Sequence, residues 1–235
     1  MLKIACLVDI GMRLYNDDRV LINEKLISDG KYSDSTISSC LVAVCDGVGG
    51  NKYGHEAAEI ALDTFSKIKI KAFPPPLLDR DILENSIKQA NEAVIKAQRK
   101  DKNHSKMATT IAGLYINEND FIAFNVGDSR VYRYRTPYIM QLSTDHAYQE
   151  YNNILTRYLG GNLSKPAIVE GQDRVFENDI FVLCTDGVWG ALSNEDFENI
   201  ITNENDLPQM CKNLVTLAKG KGSTDNLSVI IVKKY

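Results

Sequence analysis

An unbroken apolar run at residues 40–45 leads directly into Asp46 and a glycine-rich sequence, and this junction limits what the chain can fold into. A short run rich in Val and closed by Asp-Gly and Gly-Gly predicts a core strand that ends in a tight turn. The carboxylate of Asp46 is therefore expected at the mouth of that strand. Because an Asp-Gly pair is usually only a turn, the junction alone does not establish a site.

The same arrangement recurs along the chain. Apolar runs end on Asp128 and on Asp186, while Asp225 precedes the apolar run at residues 227–232. Four acids at the ends of predicted strands indicate one shared site.

Composition and charge restrict the class of protein. The chain has 235 residues, of which 44% are hydrophobic, so we expect a single domain spanning residues 1–235. A net charge of -4 gives no electrostatic reason to expect nucleic acid or an anionic membrane as a partner. The N-terminal apolar stretch reaches Asp9 too early for a signal peptide, and no later run approaches a membrane span. Five dispersed cysteines argue against a disulfide framework, so we expect a soluble, cytoplasmic protein.

Hydrophobic periodicity predicts an α+β fold. Helical spacing of apolar residues begins near Ala58 and is ended by Pro74-Pro75-Pro76, and a second helix is predicted at residues 79–99. Later helices are predicted after a Ser193 capping box and after Asp206 with Pro208. Strands in runs separated by pairs of helices favour layers of helix on antiparallel sheet.

The strand pattern also gives two local predictions. Residues 28–39 are rich in Ser, Gly and Asp and are interpreted as a hairpin loop. Residues 107–116, 120–126 and 130–135 are interpreted as three strands of one meander.

The residue types at the predicted site suit hard cations. His55, His104 and His146 are not at metal-ligand spacing, whereas oxygen-only ligand sets are preferred by magnesium and manganese. Two such ions about 3.5–4 Å apart, bridged by one carboxylate, activate a shared water for in-line displacement at phosphorus. Gly47 could offer its carbonyl to an ion. Arg13 could bind the phosphate, because a guanidinium contacts two oxygens at once.

Several sequence blocks resemble those of the metal-dependent, type 2C protein serine/threonine phosphatases, and they occur in the order found in that family. In chain order they are Arg13-Leu-Tyr-Asn16-Asp17-Asp18, Asp46-Gly-Val-Gly-Gly50, Gly127-Asp-Ser-Arg130, Thr185-Asp-Gly-Val-Trp189 and Ser223-Thr-Asp-Asn226, with a further similar segment at residues 153–160. The resemblance covers nearly the whole chain. It implies a four-layer αββα sandwich, with two antiparallel sheets flanked by helices and a dinuclear Mn²⁺ or Mg²⁺ site at one end.

The resemblance also implies a role for each matching residue. Asp46 would bridge two ions, Asp186 and Asp225 would hold one of them, and Gly47 would offer its carbonyl to the other. Asp17 and Asp18 would complete the metal environment. Asp128, with Asp186, matches the place where many bacterial members bind a third, weaker ion. The catalytic residues would be Arg13, which grips the phosphate, together with Asp46 and Asp186.

The chain departs from the family pattern at three places. Asp17 stands where the family usually has Glu, so its shorter side chain could reach an ion only through water. Asn51 follows the glycines where several relatives have His, which leaves the general acid open, with His55 as a candidate. The segment between His146 and Asn153 is short, which puts substrate selection by this flap in doubt.

The implied reaction is hydrolysis of phosphoserine and phosphothreonine on proteins by metal-activated water. Phosphorylated proteins and a Ser/Thr kinase are the expected partners, and the oligomeric state is not readable. The alternative is a pseudophosphatase that binds phosphoproteins without turnover. A thiol phosphatase is disfavoured because Cys6 and Arg13 miss the Cys-x5-Arg spacing by one residue, and the glycines near Gly220 lack P-loop spacing.

Overall fold

Two six-stranded antiparallel sheets form the centre of the molecule. The structure is a computed structural model that describes residues 1–36, 39–48, 53–67, 80–117, 120–148, 151–161, 163 and 168–235. The first sheet contains β1 (Leu2–Asp9), β4 (Gly30–Thr36), β10 (Arg130–Arg135), β11 (Tyr138–Gln141), β15 (Ile180–Cys184) and β16 (Leu227–Lys234), in the spatial order β11-β10-β15-β16-β1-β4. The second contains β2 (Arg19–Ile22), β3 (Lys25–Ile27), β5 (Cys40–Cys45), β8 (Ile111–Ile116), β9 (Asp120–Val126) and β14 (Ile168–Arg174), in the order β14-β9-β8-β5-β2-β3.

Helices cover the outer face of each sheet. α1 (Gly54–Ser66) and α2 (Arg80–Gln98) share one hydrophobic cluster with the second sheet. α4 (Asn194–Asn203) and α5 (Leu207–Gly220) share another with the first sheet, next to the short helix α3 (Asp186–Trp189). A third cluster, which includes Val42, Phe181 and Ile230, fills the space between the sheets. The predicted αββα sandwich is therefore confirmed.

Two short ribbons lie outside the large sheets. β6 (Gly47–Val48) pairs with β7 (Ala108–Thr109), and β12 (Ala147–Tyr148) pairs with β13 (Tyr151–Leu155). The strand predicted at residues 107–116 is interrupted at Thr110, whose backbone N–H donates to the Asp46 carbonyl at 2.9 Å. That interruption places β7 beside the predicted site.

The hairpin loop predicted at residues 28–39 is wrong, because β4 is a strand that pairs with β1 from Leu2↔Thr36 to Val8↔Gly30. β4 lies at a sheet edge, and Lys31, Ser33 and Ser35 point to solvent. A half-solvated edge strand can be built from polar residues, so it gives no hydrophobic signal.

The predicted three-strand meander is also wrong. β8 and β9 pair as expected, but β10 lies in the other sheet, between β11 and β15. The chain crosses between the sheets at residues 127–129, where Gly127 has a φ of +112°. Alternating polarity predicts a strand but does not identify the sheet that the strand joins.

The predicted capping box of α4 is present. The Ser193 side chain accepts from the backbone of Asp196, and the Asp196 carboxylate accepts from the backbone of Ser193. The predicted end of α1 at the prolines lies outside the described residues. Within the described part of the chain, no helix combines the length and the apolar character that a bilayer span requires.

Candidate metal centre

Asp46 lies at the end of β5, in the middle of the second sheet, and its backbone is fixed on both sides. Its N–H donates to the Thr110 hydroxyl at 3.0 Å, and its carbonyl accepts from the Thr109 hydroxyl at 2.9 Å. The pKa of the Asp46 carboxyl is raised well above its usual range, first by desolvation. The negative charges that raise it further belong to Asp18, Asp186, Asp128 and Asp225. The predicted acids therefore converge around Asp46.

Asp186 opens α3 directly after β15, so the end of a core strand and the start of a helix fix its position. Desolvation raises the pKa of its carboxyl, and the charge of Asp225 raises it further. One oxygen of the Asp186 carboxylate, Oδ1, is buried and accepts no hydrogen bond from any of the described residues. A buried oxygen without a donor is energetically costly unless a cation or a water satisfies it.

Asp225 lies two residues before the last strand, β16, and is held close to the loop that follows β1. Gly11, at a φ of +63°, passes so near the Asp225 carbonyl that a Cβ on residue 11 would lie 1.9 Å from that oxygen. One Asp225 carboxylate oxygen accepts from the backbone N–H of Asn226 at 2.8 Å. The other accepts from the Arg13 guanidinium at 2.6 Å.

Asp17 and Asp18 lie at different depths. Asp17 is half-buried, and its carboxylate accepts from the His55 backbone N–H at 2.9 Å, with the His55 Nδ1 at 3.3 Å from the same oxygen. Asp18 is buried, and its carboxylate accepts from the Thr185 hydroxyl at 2.8 Å. Burial raises the pKa of Asp18 to about 7. His55, the candidate general acid, is thus a direct neighbour of Asp17.

Gly47 is packed against the start of α1. A Cβ at residue 47 would lie 2.2 Å from the backbone of Gly54, and one at residue 54 would lie 2.4 Å from the Gly47 carbonyl oxygen. The Gly47 N–H donates to the Asp17 carbonyl at 3.2 Å. Only glycine at both positions permits this approach, which holds the Gly47 backbone between the start of α1 and Asp17.

Asp128 follows Gly127 in the crossing between the sheets and is 6% exposed. Desolvation raises the pKa of its carboxyl to about 7, and the largest additional contribution is the charge of Asp186. The turn is held by hydrogen bonds in both directions with His146, whose backbone N–H donates to the Gly127 carbonyl at 2.9 Å. Asp128 thus faces the side of the site occupied by Asp186.

Arg13 lies at the rim, with 55% of its side chain exposed. Its hydrogen bond to Asp225 is the main reason that its pKa is raised, and the charges of Asp186 and Asp46 add to the effect. The guanidinium therefore faces the acids, and it is paired with Asp225 rather than with Asp17 or Asp18.

Asn226 is a positioning residue whose role the sequence did not reveal. Its side-chain amide donates to the carbonyls of Ile10 and Tyr15 at 2.9 and 3.0 Å and accepts from the Asp17 N–H at 2.9 Å. It therefore joins the β1–β2 loop to the residues just before β16, where Asp225 lies. An Asn next to an Asp in the sequence does not predict contacts with residues more than 200 positions away.

The oxygen ligands available at this site suit a hard divalent cation, although several of the carboxylates already accept hydrogen bonds from protein groups. Among the described residues, no three His, Cys, Asp or Glu side chains are arranged so that they could share one ion as they stand. Asp17, Asp18 and Asp225 instead accept from His55, Thr185 and Arg13 respectively. The unsatisfied Asp186 oxygen and the mutual repulsion of the buried acids are the features that an oxygen-preferring cation would relieve.

Comparisons with known proteins agree with this geometry. A family model described as protein phosphatase 2C matches residues 26–228. The serine/threonine phosphatase stp of Listeria monocytogenes serotype 4b is 25% identical over 247 residues, which cover 94% of each chain. The structure of the S. agalactiae serine/threonine phosphatase has a TM-score of 0.82 at 25% identity and covers 100% of both chains. The catalytic domain of phosphatase PstP, in complex with two manganese ions, has a TM-score of 0.82 at 20% identity and covers 99% of both chains.

The fold has two stacked antiparallel sheets between helices, and buried acids lie where core strands begin and end. These features together define the class of metal-dependent protein phosphatases. This chain belongs to the protein phosphatase 2C family, so the resemblance of its sequence blocks is confirmed. The pseudophosphatase alternative is not favoured, because Asp46, Asp186 and Asp225 are all present and converge.

Proposed function

We propose that this chain hydrolyses phosphoserine and phosphothreonine on proteins at a dinuclear manganese or magnesium site built on Asp46. The observation that carries the proposal is the convergence of four other acids on the Asp46 carboxyl, each of which raises its pKa. The names of the related phosphatases and the manganese ions bound to PstP support the same activity here.

The proposed ligands follow from position. Asp46 would bridge the two ions, Asp186 and Asp225 would hold one of them, and the Gly47 carbonyl would serve the other. When bound, such ions lower the pKa of a shared water and polarise the phosphoryl oxygens. Asp17 and Asp18 would complete the metal environment, with the buried Asp18 held by the Thr185 hydroxyl. Asp128, beside Asp186, is the proposed ligand of a third, weaker ion.

Arg13 is the proposed phosphate-binding residue. Its contact with Asp225 uses one terminal nitrogen, Nη2, of a group that carries five N–H donors. The remaining donors can bind two oxygens of a phosphate at the rim of the site. The same contact with Asp225 holds the guanidinium over the acids, so less side-chain freedom is lost when substrate binds.

The decisive experiment measures phosphate release from phosphothreonine and phosphoserine peptides by metal-free protein to which manganese or magnesium is added. We expect activity only with added metal and little effect of a zinc-selective chelator. Asp186→Asn should lower kcat/KM by about a hundredfold or more, because a metal ligand contributes several kcal/mol to the transition state. Glu92→Gln, on the exposed face of α2, is the matched control and should change nothing.

Two results would contradict the proposal. One is full activity in metal-stripped protein. The other is tight phosphopeptide binding with no turnover at any manganese concentration, which would identify a pseudophosphatase.

We further propose that residues 1–235 form one catalytic domain that acts in the cytoplasm on the targets of a Ser/Thr kinase. The stacking of three hydrophobic clusters across the four layers supports a single domain. The five cysteines are all buried and unpaired, which supports a reducing compartment.

A further inference from the structure

A groove of about 500 Å³ lies beside the acidic site, between the β6–β7 ribbon and the segment that carries β13. Its described lining includes Val48, Lys106, Ala108, Ile154, Leu155 and Tyr158. We call it the flank groove. None of the residues proposed to bind metal or phosphate lines it.

The flank groove is joined to the site through the backbone. Val48 is two residues from Asp46 and pairs with Ala108. The next residue, Thr109, donates its hydroxyl to the Asp46 carbonyl at 2.9 Å. An extended chain advances about 3.3 Å per residue, so a polypeptide with its phosphate at the acids reaches the groove within a few residues.

The position of the groove wall is fixed. The Gln98 side-chain amide donates to the carbonyls of Met107 and Gly160 at 2.7 and 2.8 Å. The Gly160 N–H donates to the Asn91 side chain at 2.8 Å. Side chains of α2 therefore fix both sides of the groove. Because the groove is ordered before a ligand binds, binding does not have to offset the cost of ordering it.

The chemistry of the lining selects the occupant. Ile154 is 48% exposed and Tyr158 is 37% exposed, so two large apolar side chains border the groove without being buried by the fold. Lys106 is exposed, and no acidic side chain is found among the described lining residues. On the outer face of α1, by contrast, a separate groove is lined by Glu24, Glu56, Glu59 and Asp63. The described lining of the flank groove is thus mostly apolar, and the one charged side chain in it, that of Lys106, is positive on a chain whose net charge is negative.

We propose that the flank groove binds the substrate polypeptide next to the phosphorylated residue, taking an apolar side chain between Ile154 and Tyr158 and an Asp or Glu side chain at Lys106. The proposal rests on the proposed function and names the sequence that this phosphatase prefers. The continuity of β6 and β7 with Asp46 and the charge of Lys106 single out a substrate segment as the occupant.

The experiment compares parent protein and Lys106→Glu on three substrates with added manganese. Two are phosphothreonine peptides that share an apolar flanking residue and differ in carrying either Glu or Lys beyond it, and the third is p-nitrophenyl phosphate. We expect the parent to prefer the Glu peptide. Lys106→Glu should lower kcat/KM for that peptide by about fivefold or more, since one exposed charge contact is lost and a repulsion replaces it. The Lys106→Glu variant should prefer the Lys peptide, and its kcat/KM for p-nitrophenyl phosphate should stay within about twofold of the parent value.

Two further variants complete the test. Lys212→Glu makes the same charge change at an exposed position on α5, against the other sheet, and should leave all three substrates unchanged. Ile154→Ser should weaken both peptides without affecting p-nitrophenyl phosphate.

The outcomes separate this proposal from the phosphatase assignment. If the parent hydrolyses p-nitrophenyl phosphate but treats the two peptides alike, or if Lys106→Glu leaves their ratio within twofold, the groove proposal is overturned and the assignment stands. Inactivity of the parent on all three substrates would overturn both. If Ile154→Ser instead converts a dimer to a monomer with unchanged peptide kinetics, the groove is an interface between copies of the chain, and the proposal fails.

Discussion

Substitution of Asp128 by Asn should stabilise the metal-free protein at neutral pH. Asp128 is 6% exposed, and burial together with the charge of Asp186 raises the pKa of its carboxyl from 3.8 to about 7. The folded state therefore binds more protons at this position than the unfolded state between these two values. Stability contributed by the protonated carboxyl is complete below about pH 4 and is lost as the pH rises through about 7.

The size of the stabilisation follows from the raised pKa of Asp128. A difference of about three between the pKa values of the folded and unfolded states corresponds to about 4 kcal/mol when the carboxylate is fully ionised, because a difference of one corresponds to about 1.4 kcal/mol. Asparagine keeps the shape of the side chain and removes the charge. We therefore expect Asp128→Asn to raise the free energy of unfolding by the order of 2–4 kcal/mol at pH 8, and by much less at pH 5.

Urea unfolding of chelator-treated protein at pH 5 and pH 8 measures the difference. Glu92→Gln controls for the loss of one negative charge, because Glu92 lies exposed on α2. The comparison uses the difference between variant and parent, since other groups change the stability of both proteins with pH. If Asp128→Asn changes stability equally at the two pH values, or destabilises at pH 8, burial and the charge of Asp186 do not disfavour the Asp128 carboxylate and the reasoning is refuted.

Two other substitutions test the site at its rim and at its base. Arg13→Ala should raise KM for a phosphopeptide by roughly ten- to a hundredfold, as expected for loss of a charged hydrogen bond of about 1.5–3 kcal/mol, and Lys should restore it poorly. Because the contact between Arg13 and Asp225 is exposed, the free energy of unfolding should change by only a few tenths of a kcal/mol. If KM and kcat/KM of Arg13→Ala both stay within twofold of the parent, Arg13 does not bind the phosphate. Gly47→Ala should destabilise the protein by about 1–3 kcal/mol, because the new methyl group would overlap the Gly54 backbone. A denaturation midpoint equal to that of the parent would show that the two glycines do not need to touch.

The sequence predicts those parts of the fold that depend on local hydrophobic patterns. β5, β15 and β16 are buried on both faces, so each appears as a continuous apolar run that ends or begins at an acid. α5 is equally visible, because Asp206 caps its start and Pro208 lies in its first turn. The ends of the three strands bring Asp46, Asp186 and Asp225 together, so an acid at the end of an apolar run indicates a shared site, whereas the role of each acid is implied only by the family resemblance.

The parts that the sequence does not predict depend on contacts between distant segments. β4 owes its conformation to pairing with β1 at a sheet edge, and its polar residues resemble those of a loop. The pairing of Arg13 with Asp225 joins residues 212 positions apart, and no local pattern distinguishes it from pairing with Asp17 or Asp18. The crossing at Gly127 changes sheets within three residues, so periodicity on either side of it carries no information about topology.

Assembly of the site requires that the two ends of the chain have paired. β1 and β16 are in register from Leu2↔Lys234 to Asp9↔Leu227, and only this pairing places the loop that carries Arg13 against Asp225. Asn226 then ties that loop to Asp17. Because loop closure over the whole chain is entropically costly, the last strand must contribute enough burial to offset both that cost and the repulsion among the acids. Its first six residues are fully buried, four of them Val or Ile, so the strand that closes the fold also brings the Asp225 charge to the buried acids, where it raises the pKa of the Asp46 carboxyl.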